Sequence, residues 1–357
     1  MRRPDPARLV VLGWRVAGRV PGPVLRGACT LAADLAWLRR TGGVRRLEAN
    51  LARVRPGATP RELRRLSRAG MRSYMRYYGE AFALDTLPPA QIAARVRATG
   101  LEWLQPRLDA GEAVVLALTH MGNWDLAGAW ATVHLAPVTT VAERLRPEEL
   151  FQQFLAFREG LGMTIIPLGD GGGGDVFREL VGAVRTGPRL VPLLADRDLT
   201  ARGVEVDLFG TRARVAAGPA ALAVSAGATL APATIHYERL SGERRRAAGS
   251  PWGIVIQFLP PVTLPDGVAR PDRVRVLTQA WVDAIAAVIA EHPEDWHMLQ
   301  KVFVDDLDAT RYAATVAAEG AGAGSPTGAG SPTGEGSPAA ATPDPTAPAA
   351  RAAVEAS

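Results

Sequence analysis

The sequence predicts an α/β protein: a central sheet, mostly parallel or mixed, flanked by helices and preceded by an N-terminal helical region suited to a membrane interface. Three observations carry this prediction. From residue 113 onward, short apolar runs alternate with stretches of helical periodicity. Residues 7–110 read almost wholly as helix, broken at Pro21-Gly22-Pro23, Thr41-Gly42-Gly43 and Pro88-Pro89. Beyond about residue 316 the chain turns into Gly-Ser-Pro-Thr-Gly repeats and Pro-Ala runs, which lack the apolar content to offset the entropy of ordering.

In chain order, the strands are expected at 113–118, 138–142, 164–167, 190–195, 204–209, 229–237 and 253–259, and the helices between them at 124–134, 148–160, 176–186, 219–226 and 273–290. Alternation of this kind places helices on both faces of a sheet. The expected organisation is an N-terminal helical part at 1–110, an α/β core at 111–312 that forms one continuous domain with it, and a disordered tail at 316–357.

Composition narrows the classes. A chain of 357 residues with 47% hydrophobic content buries a substantial core, and its formal charge is +5. The basicity is arginine, because Lys301 is the only lysine. The single Cys29 forms no intramolecular disulfide and calls for no oxidising compartment. No segment reaches the roughly 20 apolar residues of a membrane span, since Arg15, Arg19 and Arg26 interrupt the N-terminal apolar run. The same run is too short and broken for a cleaved signal peptide. Residues 9–38 instead mix apolar residues with Trp14, Trp37 and arginines, which fits a helix lying in a membrane interface and equally an amphipathic helix packed on the core.

A second basic element follows. Arg61, Arg65, Arg68, Arg72 and Arg76 recur at intervals of three or four, while Leu63, Leu66, Gly70, Tyr74, Tyr78 and Phe82 line another face. Trp14, Arg65, Arg68, Arg72 and Arg76 are the candidate contacts to membrane or headgroup. A solvated face, an anionic membrane surface and the phosphates of coenzyme A all suit such a stripe. Nucleic acid is not expected, because no zinc-finger spacing, RNA-recognition signature or recognition helix is present.

The candidate chemistry lies at Leu118-Thr119-His120-Met121-Gly122-Asn123-Trp124-Asp125. It places His120 on a strand-to-helix turn, where active-site residues of α/β folds gather. For His120 and Asp125 to meet, the chain must turn sharply at Gly122-Asn123, which glycine permits. Asp125 would then fix the imidazole tautomer and leave the other ring nitrogen to act as a general base. The alternative is a buried histidine beside a carboxylate favoured by a helix N-terminus.

Other motifs are absent or bland. The run Gly169-Asp170-Gly171-Gly172-Gly173-Gly174-Asp175 lacks both the P-loop and the dinucleotide-binding spacing and reads as a flexible loop. His134, His236, His292 and His297 form no recognisable zinc pattern, so no metal is expected. There is no GxSxG nucleophile elbow. Glu143, Arg144, Arg158 and Asp196-Arg197-Asp198 sit near strand ends, where a structural salt-bridge network is the plain reading, preferred for Asp198.

His-x4-Asp after a strand resembles the signature of the glycerolipid acyltransferase superfamily. The form His120-Met121-Gly122-Asn123-Trp124-Asp125 is similar to that of its lipid A biosynthesis acyltransferase branch. Ala142-Glu143-Arg144-Leu145, Phe157-Arg158-Glu159, Leu193-Leu194-Ala195-Asp196-Arg197-Asp198, Gly218-Pro219-Ala220 and Glu291-His292-Pro293-Glu294-Asp295-Trp296 resemble the branch in the same order, so the likeness runs from about residue 5 to 305. It implies an acyl-CoA-dependent O-acyltransferase with His120 as base and Asp125 as its orienting partner. By the same resemblance Glu143, Arg144, Arg158, Asp196 and Arg197 become substrate-binding candidates. Asp196-Arg197 departs from the superfamily's usual Glu-Gly-Thr-Arg-like block. The segments Ala195-Asp196-Arg197-Asp198-Leu199 and Asp295-Trp296-His297 narrow the implied acceptor to a mannose hydroxyl of a phosphatidylinositol mannoside, with palmitoyl as the expected chain. Another glycolipid or a lysophospholipid is the alternative acceptor, and a non-catalytic lipid-binding protein is the alternative of a different class. No cofactor is expected beyond acyl-CoA as co-substrate. A monomer, peripheral on the cytoplasmic face of the plasma membrane, is the expected state.

Overall fold

Strand β2 shows why the sheet forms where it does. All six of its residues, Ala113–Leu118, are buried, and they divide with a period of two between the sheet's faces. Val115 and Ala117 join one apolar cluster with Leu277, Trp281 and Ile285, while Val114, Leu116 and Leu118 join another with Tyr77, Leu104 and Leu126. Each fully buried side chain of this size contributes about 1.5–3 kcal/mol. A strand that is buried on both faces reads as an unbroken apolar run.

The computed structural model describes residues 18–144, 148–168, 174–198, 203–310, 312–314 and 317. Trp14, most of the glycine-rich loop and nearly all of the tail expected at 316–357 lie outside the described residues. In order, the helices of the N-terminal part are α1 (Gly22–Leu38), α2 (Gly42–Val54), α3 (Pro60–Leu84) and α4 (Pro89–Arg95). Then follow β1 (Val96–Thr99), α5 (Leu101–Asp109), β2, α6 (Trp124–His134), β3 (Thr139–Glu143), α7 (Glu148–Gly160), β4 (Thr164–Leu168), α8 (Gly174–Val184) and β5 (Arg189–Leu194). The remainder is β6 (Gly203–Leu208), β7 (Thr211–Ala216), α9 (Gly218–Ala226), β8 (Thr229–Arg239), α10 (Gly242–Ala248), β9 (Trp252–Phe258) and α11 (Arg273–Glu291).

The main sheet runs β1-β9-β8-β2-β5. Only β8 and β9 pair antiparallel within it, so the sheet is mixed, as the sequence implies. Strands β3 and β4 form a parallel pair joined to the β5 edge by a bridge from Val138 to Leu190, and β6 and β7 form an antiparallel hairpin. Two strands and one helix were not expected from the sequence: β1, β7 and α10. Because β1 is an edge strand of the main sheet, the expected boundary at residue 110 falls inside the α/β fold.

Helix α3 is the long element that ties the N-terminal part to the core. A capping box starts it: Thr59 Oγ1 accepts from Glu62 N at 3.3 Å and Glu62 Oε2 accepts from Thr59 N at 2.8 Å. One of its faces packs with α1 and α2 around Leu47, Leu51 and Met71. Tyr77, Ala81 and Leu84 enter the sheet's core. Among the described residues, no helix is long and apolar enough to cross a membrane.

Candidate active site

The chain leaves β2 at Leu118 and turns at once. Met121 N–H donates to Thr119 O at 2.7 Å, and Gly122 adopts φ +58°. A Cβ at Gly122 would lie 2.5 Å from Ile235 O, so both the backbone conformation and the space demand glycine. Asn123 then caps α6, its side chain accepting from Leu126 N at 3.0 Å, and its amide donates to Glu80 Oε2 at 3.0 Å.

A distant segment clamps this turn. Met121 bridges Trp296 in antiparallel fashion, Gly122 N–H donates to Asp295 O at 3.1 Å, and His297 N–H donates to His120 O at 2.7 Å. The turn that carries His120 is therefore held from both sides by backbone bonds.

The carboxylate that meets the imidazole is Asp196. His120 Nδ1 lies 2.6 Å from Asp196 Oδ1, and His120 N–H donates to Asp196 Oδ2 at 3.0 Å. Trp296 Nε1–H donates to the same Oδ2 at 2.9 Å. Asp196 is only 1% exposed. Burial works to raise its pKa, yet the charge and hydrogen bond of His120, the indole and the backbone N–H outweigh it and hold the carboxyl below its ordinary range. The His120 side chain keeps 37% exposure, and its Nε2 makes no hydrogen bond among the described residues. A histidine held by a carboxylate through Nδ1, with the other nitrogen unengaged, is arranged to take a proton at Nε2.

This corrects the expected geometry. Asp125 does not reach His120. It accepts from Tyr77 Oη at 2.8 Å and from Arg158 Nε at 2.8 Å, and it is 1% exposed. The cause is local: α6 begins at Trp124, so Asp125 stands in the first helical turn and faces Tyr77 of α3 and Arg158 of α7. Burial disfavours the Arg158 charge, but Asp125 and Tyr77 more than restore it, raising its pKa. Trp124, between the two motif residues, lies edge-on to His120 with centroids 5.9 Å apart and stacks near Tyr77 at 4.1 Å.

The remaining candidates divide. Arg197 donates from Nε to Lys301 O at 3.0 Å; burial lowers its pKa against the charges of Glu143, Asp196 and Asp198. Glu143 feels desolvation that raises its pKa, offset in part by Arg197. Glu143, Arg197, Asp196 and His120 thus share one neighbourhood. Arg158 belongs with Asp125 instead, and Arg144 pairs with Glu148 at 3.0 Å on an exposed edge.

The expected headgroup arginines are largely committed inside the chain. Arg68 and Arg72 each grip Asp34 of α1 with two hydrogen bonds, between 2.6 and 3.0 Å. These arginines hold the Asp34 carboxyl well below its usual range. Arg76 lies 3.6 Å from the Trp252 ring centroid and 4.5 Å from that of Tyr237. Arg65 makes no such bond among the described residues, and Trp14 lies outside them.

The contacts that Asp196 makes with His120 and with the indole of Trp296 were not legible in the sequence. The signal was present in register: β2 and β5 run parallel with Leu118 opposite Leu194, so the residues two places beyond each end, His120 and Asp196, come level. Only the pairing of those two strands was unknown.

The mixed α/β sheet thus brings a histidine and a buried aspartate together at adjoining strand ends, an arrangement that general-base chemistry can use. The chain belongs to the bacterial lipid A biosynthesis acyltransferase family, which it matches over residues 5–304. It is therefore an enzyme that transfers acyl groups. Among curated proteins it is 39% identical over 304 residues to the phosphatidylinositol mannoside acyltransferase of Mycolicibacterium smegmatis, covering 84% of this chain and 92% of that one. It is 40% identical over 306 residues to the protein of the same name from Mycobacterium tuberculosis (strain CDC 1551 / Oshkosh), covering 84% and 89%.

Proposed function

We propose that the protein moves a long-chain acyl group, palmitoyl in the first instance, from acyl-CoA to a mannose hydroxyl of a phosphatidylinositol mannoside. The acceptor is supported by the two mycobacterial relatives, whose names carry it. The single observation behind the mechanism is the His120–Asp196 couple, 2.6 Å between Nδ1 and Oδ1. Asp196 fixes the tautomer with the proton on Nδ1, and Nε2 takes the proton of the acceptor hydroxyl as its oxygen attacks the thioester carbonyl. The new C–O bond forms, the C–S bond breaks, and the coenzyme A thiolate leaves or recovers the proton from the imidazolium. Asp196 stabilises that imidazolium while it lasts. Positioning and general-base catalysis supply the acceleration, the latter typically worth about 10²–10⁴-fold. Arg197, next to Asp196, offers positive charge for the developing oxyanion or a substrate phosphate.

A cytosolic donor and a membrane acceptor support a peripheral enzyme on the cytoplasmic face of the plasma membrane, and a monomer is the proposed state. The reading is tested by thiol release from palmitoyl-CoA with purified phosphatidylinositol mannoside, wild type against His120→Ala. Acceptor-dependent release that vanishes in the folded variant supports it. Release driven by a lysophospholipid or another glycolipid alone would move the acceptor, and no release with any acceptor would favour a lipid-binding protein.

A further inference from the structure

Helices α1, α3 and α4 and the start of β9 line a cavity of about 470 Å³ whose walls include neither His120 nor Asp196. Five arginines line it: Arg26, Arg72, Arg76, Arg95 and Arg239. An adjoining hollow of about 440 Å³ shares Arg72, Arg76 and Trp252 with it and extends it toward Arg65 and Arg68.

The charge in this cavity is not balanced from within. Arg72 is neutralised by Asp34. Glu80 is the carboxylate lining the cavity; its Oε2 is engaged by Asn123 at 3.0 Å and Tyr237 at 3.1 Å, and its one charge is shared between Arg76 and Arg95, while Glu294 and Asp295 lie in the adjoining hollow. Arg95 is 8% exposed and spends its Nε on Ala248 O at 2.9 Å. Arg26, Arg76 and Arg239 have no carboxylate bond among the described residues, and Arg76 and Arg239 both lie over Trp252, at 3.6 and 4.5 Å from the ring centroid. Guanidiniums gathered in one concavity repel one another unless an anion sits among them. Stacking on the indole holds two of them in place, so little freedom is lost when their planar forks engage a phosphate.

We propose that this cavity binds a phosphate group carried on a substrate of the enzyme. Two sources share that chemistry if the acyl-transfer reading holds: the phosphodiester of the acceptor lipid and the phosphates of coenzyme A. The cavity wall touches the turn that carries His120: Glu80 accepts from Asn123, which caps the helix just after it.

The test is isothermal titration of the full chain, at low and high salt, with glycerophosphoinositol and separately with coenzyme A. Wild type is compared with Arg239→Gln and Arg76→Gln, each checked by thermal melting. Arg239 is exposed and makes no hydrogen bond that the fold needs, so its variant remains informative if Arg76→Gln fails to fold. The expected result is saturable, salt-sensitive binding of one probe, weakened roughly ten-fold or more by Arg239→Gln. Binding of glycerophosphoinositol assigns the cavity to the acceptor, and variant-sensitive binding of coenzyme A assigns it to the donor. Binding of neither, or binding that both folded variants leave unchanged, overturns the proposal. The readout needs no turnover, so a chain that binds a probe here yet is inactive toward every acceptor would refute the acyl-transfer reading while leaving the phosphate site itself standing.

Discussion

Trp296 donates its indole N–H to Asp196 Oδ2 at 2.9 Å, the same oxygen that receives the backbone N–H of His120. Two donors thus fix one carboxylate oxygen and leave the other for the imidazole. Trp296 is wholly buried, so the bond is made away from solvent. Trp296→Phe should keep the packing and lose the bond. A hydrogen bond to a charged group is worth about 1.5–3 kcal/mol, and the expected outcome is a kcat lowered by roughly ten-fold or more with KM little changed. A change confined to KM would remove Trp296 from the orientation of Asp196.

Asp196→Asn tests the orienting carboxylate directly. The amide is nearly isosteric but cannot hold the imidazolium. We expect kcat to fall by about 10²–10⁴-fold, comparable to loss of the base itself, with the melting temperature close to wild type. Near-normal turnover in steady-state assays would return the orienting role to another group.

Asp125→Ala separates structure from chemistry. It strands the buried Arg158 charge and the Tyr77 hydroxyl, and breaking a buried pair in this way costs about 3–5 kcal/mol. Denaturant unfolding should show that loss, together with loosening of α7 against α3. If stability is unchanged while kcat collapses, Asp125 belongs to the reaction rather than to the frame around it.

Three buried groups make a pH-dependent contribution to stability that can be worked out from their shifts. Burial, then the charges of Arg76 and His120, lowers His297 to about 3, and burial with His292 and Arg97 lowers His236 to about 4. Their stabilising contribution is full above the unfolded histidine value near 6.5 and is lost as pH falls toward those folded values. Asp295 runs the other way. Burial raises it to about 6 against hydrogen bonds from Ser73 and Tyr237 N, so its contribution is present at low pH and is lost as pH rises through 6. Two histidines against one aspartate leave a net loss of roughly 3 kcal/mol between pH 7 and pH 4.5. His297→Asn, measured by urea unfolding at both pH values, should remove most of that difference, because the remaining loss from His236 is nearly offset by Asp295.

Gly122→Ala tests the turn. The added methyl meets Ile235 O at 2.5 Å and the backbone sits at φ +58°. The variant should be less stable and nearly inactive, since the displaced turn carries His120. Full activity would mean the turn relaxes without moving the imidazole.

Much of the fold was legible because burial imprints a local period. The bounds of β2, α6 and α7 follow from apolar runs and helical stripes alone. The elements that stayed hidden lack that imprint. Strand β1 has four residues, two of them exposed, and β7 carries Arg212 and the fully buried Arg214, so neither reads as an apolar strand. The short, arginine-rich α10 was passed over for the same reason.

By itself the sequence determined the α/β class, the histidine on a turn after the central strand, a glycine that permits that turn and the family resemblance; the first three rest on residues close in the chain, the last on short segments in a shared order. Tertiary structure alone decided which carboxylate serves the histidine. The parallel register of Leu118 with Leu194 brings Asp196 level with His120, while α3 and α7 draw Asp125 away into a buried pair. It also decided the fate of the arginine stripe, part of which Asp34 and Trp252 consume. The physical reason is the same in each case. Strand pairing and ion pairing join residues far apart in sequence, and no local period records which distant partner a side chain will meet.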